Sequence, residues 1–335
     1  MKMISKSSIS QNEPFLLRPA FIEKLWGGNH LKKEFNKNSI IEQIAETWEC
    51  STHPDGESII ASGNYKGKTL WEMLISRPEL FGRLYKNRTE FPFLIKLIDA
   101  TQKLSIQVHP DDNYANKYEN GSRGKVEMWY ILEAKPDSKL IFGLNHKITR
   151  IELEKSIIDG TVEKYLQVIN VKKGDVFFLE PGTIHAIGSG IVLAEIQENS
   201  NITYRLYDYD RTDKNGNKRE LHLKKALDVA KLEKSQYPRQ PMKVLKYTPG
   251  YASETLGRCK YFLVERVLIN SYSVNKPLII TSKDFFTIYL CIEGKCNIIF
   301  QNKHLEIQKG DCVFFPVNTV QTEFLGKAEF IKVIS

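Results

Sequence analysis

Short apolar, β-branched runs separated by turn residues recur along most of this 335-residue chain, and they constrain its fold more than any other feature. Turn sequences such as KPDS, KKGD, GSG, IEGK and QKGD lie between the runs. Helical spacing is confined to 69–82, 149–160 and 221–234, and Thr69 with Glu72 forms a capping-box pattern at the first of these. The chain is therefore predicted to be mainly β with a few accessory helices. The predicted strands are 92–99, 103–109, 126–134, 139–143, 166–171, 175–180, 190–197, 202–208, 261–269, 277–281, 285–292, 296–300 and 312–315.

One weak internal repeat narrows the architecture further. The segment VKKGDVFFLEPGTIHAIGSG at 171–190 resembles IQKGDCVFFPVNTVQTEFLG at 307–326. Each copy contains Lys-Gly-Asp, a strand-like run, a proline, and a polar residue eleven positions after the glycine. That polar residue is His185 in the first copy and Gln321 in the second. Strands repeated twice at this spacing predict two antiparallel β-barrels (jelly rolls) of the same type.

Composition and charge restrict the possible functions. With 41% hydrophobic and 26% charged residues, and no apolar stretch near the roughly 20 residues of a membrane span, we expect a globular protein that does not bind membranes. The net charge of +8 is spread along the chain without a nucleic-acid-binding motif. A diffuse positive field suits a small anionic substrate, although an ordinary solvated surface explains most of these charges. The five cysteines form no CxxC pair, which predicts reduced thiols and a cytoplasmic location.

The stretch SIQVHPDD contains an unusual row of polar side chains. Ser105, Gln107 and His109 fall on one face of the predicted strand, and the apolar Ile106 and Val108 fall on the other. Burying a hydroxyl, an amide and an imidazole costs free energy unless each finds a partner. A bound metal, a substrate or solvent could each supply one.

The sequence resembles a known family over nearly its whole length. The Gly-Asp-strand-Pro-Gly-His pattern ending at His185 resembles, with altered spacing, the second motif of cupins. Six longer stretches resemble type I mannose-6-phosphate isomerases in their short bacterial form. These are KLWGG (24–28), AETWECSTHPDGES (45–58), PFLIKLIDATQKLSIQVHPDD (92–112), GKVEMWYIL (124–132), PGTIHAIGSG (181–190) and QENSNITYRLYDYDR (197–211).

This resemblance implies one zinc ion per chain, held by Gln107, His109, Glu127 and His185. Neutral imidazoles and a carboxylate suit zinc, but manganese, iron or cobalt would also accept this mixed set. A single strand histidine without that context is more often a hydrogen-bonded core residue. Gln107 could equally orient the substrate, since an amide is a weak ligand.

The resemblance also implies an aldose-ketose isomerase that interconverts mannose 6-phosphate and fructose 6-phosphate through an enediolate. Arg205, Glu195 and Lys125 are then the candidate catalytic residues, and Lys96, Ser105 and Arg205 are the candidate substrate contacts. The base could be Glu195, Lys125 or a metal-bound water. Without the resemblance, Glu195 and Arg205 would most simply form an inter-strand salt bridge, Lys96 would lie at a sheet edge, and Lys125 would be a solvated loop end.

Three segments are expected along the chain: a polar tail at 1–13, a catalytic cupin domain at 14–240, and a metal-free, structural cupin-like domain at 245–335. The expected partner is a small phosphosugar, with no nucleic acid or membrane, and the expected assembly is a monomer or weak homo-oligomer. A sugar-phosphate sensor without turnover and a metal-dependent dioxygenase are the alternatives, because a fold alone does not define a function.

Overall fold

The computed structural model describes residues 12–85, 90–212, 215–236, 245–282 and 284–335. The strands pair antiparallel in three sheets, which confirms a mainly β fold. No sheet in these ranges closes on itself, so the two barrels stay a prediction. The strands are β1 Phe15–Arg18, β2 Ala20–Ile22, β3 Glu46–Cys50, β4 Ile59–Ile60, β5 Phe93–Ala100, β6 Ile106–Val108, β7 Glu127–Ala134, β8 Lys139–Leu144, β9 Leu166–Asn170, β10 Val176–Leu179, β11 His185–Ile187, β12 Ile191–Glu198, β13 Tyr204–Tyr207, β14 Lys246–Thr248, β15 Tyr251–Arg258, β16 Leu263–Asn270, β17 Leu278–Ile280, β18 Thr287–Phe300, β19 Lys303–Gln308, β20 Cys312–Phe315 and β21 Thr322–Ile334.

The helices are short and lie mostly where the sequence predicts them. Both Thr69 and Thr149 cap their helices in complete capping boxes. The stretch between His109 and Glu127, to which no helix was assigned from the sequence, contains a short helix, which begins where the Asp111 carboxylate accepts the backbone N–H of Tyr114 at 2.8 Å. The helices are α1 His30–Glu34, α2 Leu70–Ser76, α3 Asp112–Tyr118, α4 Arg150–Ile158 and α5 Leu223–Val229, with 3₁₀ turns at Gly63–Tyr65, Pro78–Phe81, Arg83–Tyr85, Val162–Tyr165 and Ser271–Val274.

The chain forms two compact units. The first, called here the site unit, contains the described residues of Pro19–Glu57 and Pro92–Met242. The second, the C-terminal unit, contains the described residues of Met1–Arg18, Ser58–Phe91 and Lys243–Ser335. This division differs from the predicted boundaries because residues 58–91 group with the C-terminal strands. The predicted tail up to residue 11 lies outside the described residues.

An aromatic cluster explains why the 58–91 segment groups with the C-terminal strands. The ring centroids of Phe81 and Phe314 lie 5.3 Å apart, and those of Phe91 and Phe286 lie 5.2 Å apart. Phe15 in β1 stacks on Phe314 in β20 at 5.0 Å. Such pairs stabilise by about 0.5–1.5 kcal/mol each beyond their buried area.

Two sheets build the site unit. One has the strand order β10-β7-β12-β5-β3-β2, and the other has the order β13-β6-β11-β8-β9. Apolar side chains from both sheets, including Trp129, Phe177 and Phe142, form one buried cluster. Ile106 and Val108 pack in a second cluster on the opposite face of β6, as the alternating pattern predicts. The polar row of β6 therefore points away from that second cluster.

A ten-stranded sheet, made of β1, β4 and β14–β21, dominates the C-terminal unit. All five cysteines are free, and Cys259 is the one among them that is not buried. None of the helices in the described residues is long and apolar enough to cross a membrane.

Candidate metal centre and substrate cavity

Three side chains that are distant in the sequence meet in the site unit. Glu127 begins β7, His185 begins β11, and His109 follows β6 directly. One ligand atom from each of these residues lies within 4.8 Å of the others. His109 Nε2 lies 3.2 Å from Glu127 Oε1, and His185 Nε2 lies 3.6 Å from Glu127 Oε2. The structure thus brings together the three residues that the metal hypothesis requires.

Backbone carbonyls fix the orientation of both imidazoles. His109 Nδ1 lies 2.8 Å from the carbonyl of Ile202, and His185 Nδ1 lies 2.8 Å from the carbonyl of Thr183. Because a carbonyl oxygen only accepts, each Nδ1 carries the proton and donates it. The lone pair of each Nε2 then faces the Glu127 carboxylate, which is the arrangement expected of imidazole ligands.

Burial keeps these imidazoles neutral. Desolvation, with a further contribution from the Lys125 ammonium, lowers the pKa of His109 to about 3. Desolvation also lowers the pKa of His185. Burial would raise the pKa of Glu127, but the Lys125 ammonium, followed by the contact with His109, holds it well below its usual value. At neutral pH the cluster therefore consists of one carboxylate and two uncharged nitrogen donors.

The Glu127 carboxylate lacks the hydrogen bonds that a buried anion needs. Both of its oxygens are buried, and neither accepts a hydrogen bond of good geometry from the described residues, although Lys125 Nζ lies 2.6 Å from Oε1. Two nitrogens and one carboxylate match the donor set of zinc sites. Gln107, half-buried on β6, places its amide nitrogen 3.4 Å from His185 Nε2. The residues present therefore fit a divalent cation.

Lys125 lies inside the site and is not a solvated loop end. Its side chain is 5% exposed, and Nζ lies 3.4 Å from His109 Nε2. The preceding Gly124 permits this position, because a Cβ there would come within 2.5 Å of the Asp111 backbone. The Lys125 backbone N–H then donates to the Pro110 carbonyl at 3.0 Å.

Lys96 is also buried and does not lie at a sheet edge, since β5 runs between β12 and β3. Its ammonium lies 3.3 Å from Glu195 Oε2 and 3.4 Å from Glu46 Oε2. Trp129 Nε1 donates to the other oxygen of Glu195 at 2.8 Å, and Trp48 Nε1 donates to Glu46 at 2.8 Å. The Glu195 carboxylate is thus held from two sides.

The charges around Glu195 favour a proton acceptor. Burial, followed by the negative charge of Glu127, raises the pKa of Glu195 despite the attraction of Lys96. Burial alone would lower the pKa of Lys96, but Glu46 and Glu195 raise it above its usual value. Lys96 is therefore a stable cation beside a carboxylate whose pKa is shifted toward the working range of a general base.

Arg205 does not pair with Glu195 in this structure, so the simple inter-strand salt bridge is wrong. Glu195 lies on β12, opposite Lys96, and Arg205 lies on β13, opposite Gln107. Arg205 Nε donates to Ser105 Oγ at 3.3 Å, and one terminal nitrogen donates to the carbonyl of Glu220 at 2.7 Å.

A cavity of about 280 Å³ joins most of the predicted site residues. Its lining includes the candidate catalytic and substrate residues Lys96, Ser105, Gln107, Lys125, Glu195 and Arg205. It also includes residues for which no role was predicted, namely Lys24, Trp26, Glu46, Asn201, Thr203 and Arg219. Trp26 and Glu46 lie in the KLWGG and AETWECSTHPDGES stretches that resemble the family, and this resemblance could have predicted a role for them.

Arg219 is the cavity residue that sequence reasoning missed most completely. Its Nε donates to Asp208 Oδ2 at 2.7 Å, and Arg211 binds the same carboxylate. Burial, followed by the positive charge of Arg219, lowers the pKa of Arg205, so the two guanidinium groups face the same region. Two neighbouring guanidinium groups at one side of a cavity suit a dianion such as a phosphate monoester.

Comparisons with known families and curated proteins point to one group of enzymes. The family "Phosphomannose isomerase type I, catalytic domain" matches residues 15–152, and "Mannose-6-phosphate isomerase, cupin domain" matches residues 253–335. The chain is 38% identical to the mannose-6-phosphate isomerase ManA of Bacillus subtilis over 95% of this chain and 98% of that protein. It is 35% identical to the mannose-6-phosphate isomerase of Streptococcus mutans, over 95% of this chain and 97% of that protein.

Solved structures show the same fold. The crystal structure of the mannose 6-phosphate isomerase from Bacillus subtilis matches with a TM-score of 0.88 and 35% identity, covering 96% of this chain and 99% of that one. A mannose 6-phosphate isomerase solved with zinc bound matches with a TM-score of 0.77 over 97% of this chain and all (100%) of that one. At 15% identity, this second likeness shows the fold alone.

Proposed function

The chain belongs to the type I mannose-6-phosphate isomerase family, and from this premise we propose that it interconverts mannose 6-phosphate and fructose 6-phosphate. The observation that carries the proposal is the meeting of His109, Glu127 and His185 beside a cavity with cationic walls. A sugar phosphate needs hydrogen-bonding groups at one end and cations at the other, and this cavity offers both.

We propose one zinc ion per chain, held by His109, Glu127 and His185 with Gln107 as a fourth, weaker ligand. The orientation of the two imidazoles and the unsatisfied Glu127 carboxylate support this proposal. A related enzyme has been solved with zinc. A bound zinc ion would supply Lewis-acid polarisation of sugar oxygens. Manganese, iron or cobalt would also bind to the same nitrogen and oxygen donors.

The reaction moves a proton between carbon 2 and carbon 1 of the open-chain sugar. Glu195 is our proposed base, because it lines the cavity, its pKa is raised, and Trp129 and Lys96 hold both of its oxygens. Lys125 is the second candidate for proton transfer to the sugar oxygens. A positioned base contributes about 10²–10⁴-fold to such a reaction.

Negative charge develops on the enediolate and is permanent on the phosphate. We assign the phosphate mainly to Arg205 and Arg219, with the hydroxyl of Ser105 beside them. Lys96 lines the same cavity and stays a predicted substrate contact, but two carboxylates already share its charge. Arg205 also lies on β13, whose partner strand β6 carries Gln107, so it is our candidate for offsetting charge on the intermediate.

We further propose that both units are cupin-type barrels, that the C-terminal barrel holds no metal, and that the enzyme acts in the cytoplasm as a monomer or weak homo-oligomer. The repeated Lys-Gly-Asp segment and the match of 253–335 to a cupin domain support the two barrels. The buried free cysteines support a reducing compartment.

The direct test measures conversion of mannose 6-phosphate to fructose 6-phosphate by the purified protein, together with its metal content. We expect turnover that is lost on chelation and restored by zinc. Arg205→Lys, which keeps the charge and loses the fork of donors, should lower kcat/KM by about 10²-fold. Arg150→Lys, at an exposed pair with Asp228, is the matched control and should change nothing. If the zinc-loaded protein bound the sugar phosphate without turnover, the isomerase proposal would be wrong and a sugar-phosphate sensor would be favoured.

A further inference from the structure

The C-terminal unit contains a cavity of about 400 Å³ that the proposed function does not use. Its volume lies in the range of small-molecule sites, about 300–1,000 Å³. Hydroxyl groups and aromatic rings make up much of its lining, contributed by Thr248, Ser282, Thr287, Tyr251, Tyr289 and Phe315.

This cavity lies at the same place in the strand register as the candidate site does in the site unit. Equivalent residues in the two units are assigned from the strand pairing. The assignment starts on the strand after each Lys-Gly-Asp turn, β10 or β20, and moves to the paired residue on each successive neighbouring strand. In that order, Leu179, Glu127, Trp129, Glu195 and Lys96 correspond to Phe315, Thr287, Tyr289, Lys332 and Glu265. A threonine hydroxyl thus replaces the metal-binding carboxylate, and the fold retains an opening beside it.

The Tyr289 hydroxyl is available to a ligand in this cavity. Tyr289 is 2% exposed and lines the cavity, and its hydroxyl has no hydrogen-bond partner in the described residues. It is not among the fully enclosed polar atoms that lack a partner, so it is accessible and can bond to a ligand. Within the described ranges, the Thr287 hydroxyl has Ser282 Oγ as its one hydrogen-bond partner, at 3.5 Å, so it too can bond to a ligand.

The charges of the lining indicate which chemical class would bind. Lys332 is the one cation among the described residues that line this cavity, and its Nζ lies 2.9 Å from Glu265 Oε2, which offsets its charge. The catalytic cavity, by contrast, contains two arginines that suit a phosphate. A lining of hydroxyls, aromatic rings and the aliphatic side chains of Leu278, Ile279 and Ile280 favours an uncharged, polyhydroxylated ligand, whose hydroxyls bond to the polar groups and whose C–H faces pack on the apolar ones.

We propose that the cavity bounded by Thr287 and Tyr289 is a second site, which binds a small neutral carbohydrate of monosaccharide size. This site is separate from the isomerase cavity and does not depend on the proposed function. Tyr289 donates to, or accepts from, a ligand hydroxyl, and Thr287 takes the place of the carboxylate that binds metal in the other unit.

Methyl α-D-mannopyranoside is the probe, because its locked ring prevents isomerisation and it carries no charge. Binding is measured by saturation-transfer-difference NMR on the full chain, with excess mannose 6-phosphate present to fill the catalytic cavity. We expect a millimolar Kd, weakened about fivefold or more in Tyr289→Phe, which loses one hydroxyl and no protein hydrogen bond. Thr287→Val, which keeps the shape, should also weaken binding.

Tyr247→Phe is the matched control, since Tyr247 is 73% exposed in the same unit and does not line the cavity. It should leave the Kd unchanged, and all three variants should keep wild-type isomerase turnover, which separates this test from that of the isomerase. No saturation transfer up to about 50 mM probe, or an equal Kd in wild type and Tyr289→Phe, would leave water as the occupant and overturn the proposal. If the cavity bound inorganic phosphate and not the glycoside, and Tyr289→Phe weakened that binding, the proposal of a neutral ligand would be overturned.

Discussion

The two copies of the Lys-Gly-Asp segment build the same turn in both units. The glycine has a positive φ in each copy, +88° at Gly174 and +98° at Gly310, a conformation that favours glycine. The following carboxylate accepts the backbone N–H three positions earlier, at 3.0 Å for Asp175 and 2.8 Å for Asp311. Each glycine N–H also donates to a neighbouring strand at 2.8 Å. The backbone of the repeat is therefore shared.

The side chains beyond that turn differ in kind. In the site unit, Trp129 donates to Glu195 and lies edge-on to His185, with ring centroids 5.4 Å apart. In the C-terminal unit, the equivalent Tyr289 packs against aromatic rings, with Phe315 at 5.0 Å and Phe330 at 5.7 Å. In one unit the side chain at this position contacts ionisable groups, and in the other its ring packs in an aromatic cluster while the residue also lines the second cavity.

Both units keep an ion pair at equivalent positions, with the charges exchanged between strands. Lys96 and Glu195 have side chains 4% and 5% exposed, whereas those of Lys332 and Glu265 are 19% and 15% exposed. The fold therefore tolerates either order of charges and does not itself require the ligand set. What distinguishes the site unit is the convergence of His109, Glu127 and His185, not the turn that precedes one of them.

The largest expected effect comes from making the first copy resemble the second at the ligand position. His185→Gln should lose bound zinc and lower kcat/KM by at least about 10³-fold, because a weak amide replaces an oriented imidazole. Metal analysis and the isomerase assay check both losses in one preparation. Full zinc content with full activity would show that His185 is not a ligand.

The reverse change in the second copy is the control. Gln321 is exposed, and Thr287 occupies the place of Glu127 in that unit. Gln321→His should therefore bind no additional zinc and leave isomerase activity unchanged. A second equivalent of zinc in this variant would contradict the comparison between the two units.

The ion pairs predict the next largest difference. Lys96→Met leaves Glu46 and Glu195 buried without their cation and should lower the free energy of unfolding by about 3–5 kcal/mol. Lys332→Met removes the equivalent, more exposed pair and should cost about 1 kcal/mol. Urea unfolding of both variants, followed by circular dichroism, measures the difference. Equal losses would mean that burial of the pair does not distinguish the units.

Most strands of the site unit could be predicted from the sequence because their signals are local, whereas β15 and β21 of the C-terminal unit lie outside the predicted strands. The two-residue period placed Ile106 and Val108 in the core and the polar row opposite them, as observed. The repeat was visible because its glycine and aspartate serve a single tight turn. The meeting of Glu127 with His109 and His185 was implied by resemblance to a family, and the structure brings these residues together.

The remaining features depend on non-local pairing, which no local pattern records. Lys96 is the partner of Glu195 because β12 lies beside β5, and this neighbourhood follows from strand order. Arg219 reaches the cavity from a polar connection and is held there by Asp208, eleven positions earlier. The α3 helix is too short to show a helical hydrophobic period, so the N-cap residue Asp111 was its main signal in the sequence.

Removing the indole donor tests whether Trp129 orients Glu195. Trp129→Phe should lower kcat about tenfold with little change in KM, because the Glu195 carboxylate loses its hydrogen bond from the indole and keeps only its contact with Lys96. The lost donor stabilised the charged carboxylate, so the already raised pKa of Glu195 should rise further. Activity requires the unprotonated base and falls as the pH drops through that pKa, so the acidic limb of the pH profile should move to higher pH. A profile with an unmoved limb would indicate that Trp129 only packs.

Tyr289→Phe is the matched change in the C-terminal unit. It should alter neither kcat nor the pH profile, and it should leave the free energy of unfolding within about 0.5 kcal/mol, since no protein hydrogen bond is lost. A tenfold fall in kcat here would mean that the two units are coupled in catalysis.

The smallest effects should come from the turn that both copies share. Asp175→Ala and Asp311→Ala each remove a carboxylate that accepts a backbone N–H, and each should cost about 1 kcal/mol of stability. The two losses should be equal within about 0.5 kcal/mol, because the turn geometry is the same in both units. Urea unfolding measures both, and the isomerase assay at low temperature should show wild-type turnover in each variant. A loss of turnover in Asp175→Ala alone would show that the first turn helps to position His185. The two units would then differ in the role of this backbone turn as well as in their side chains.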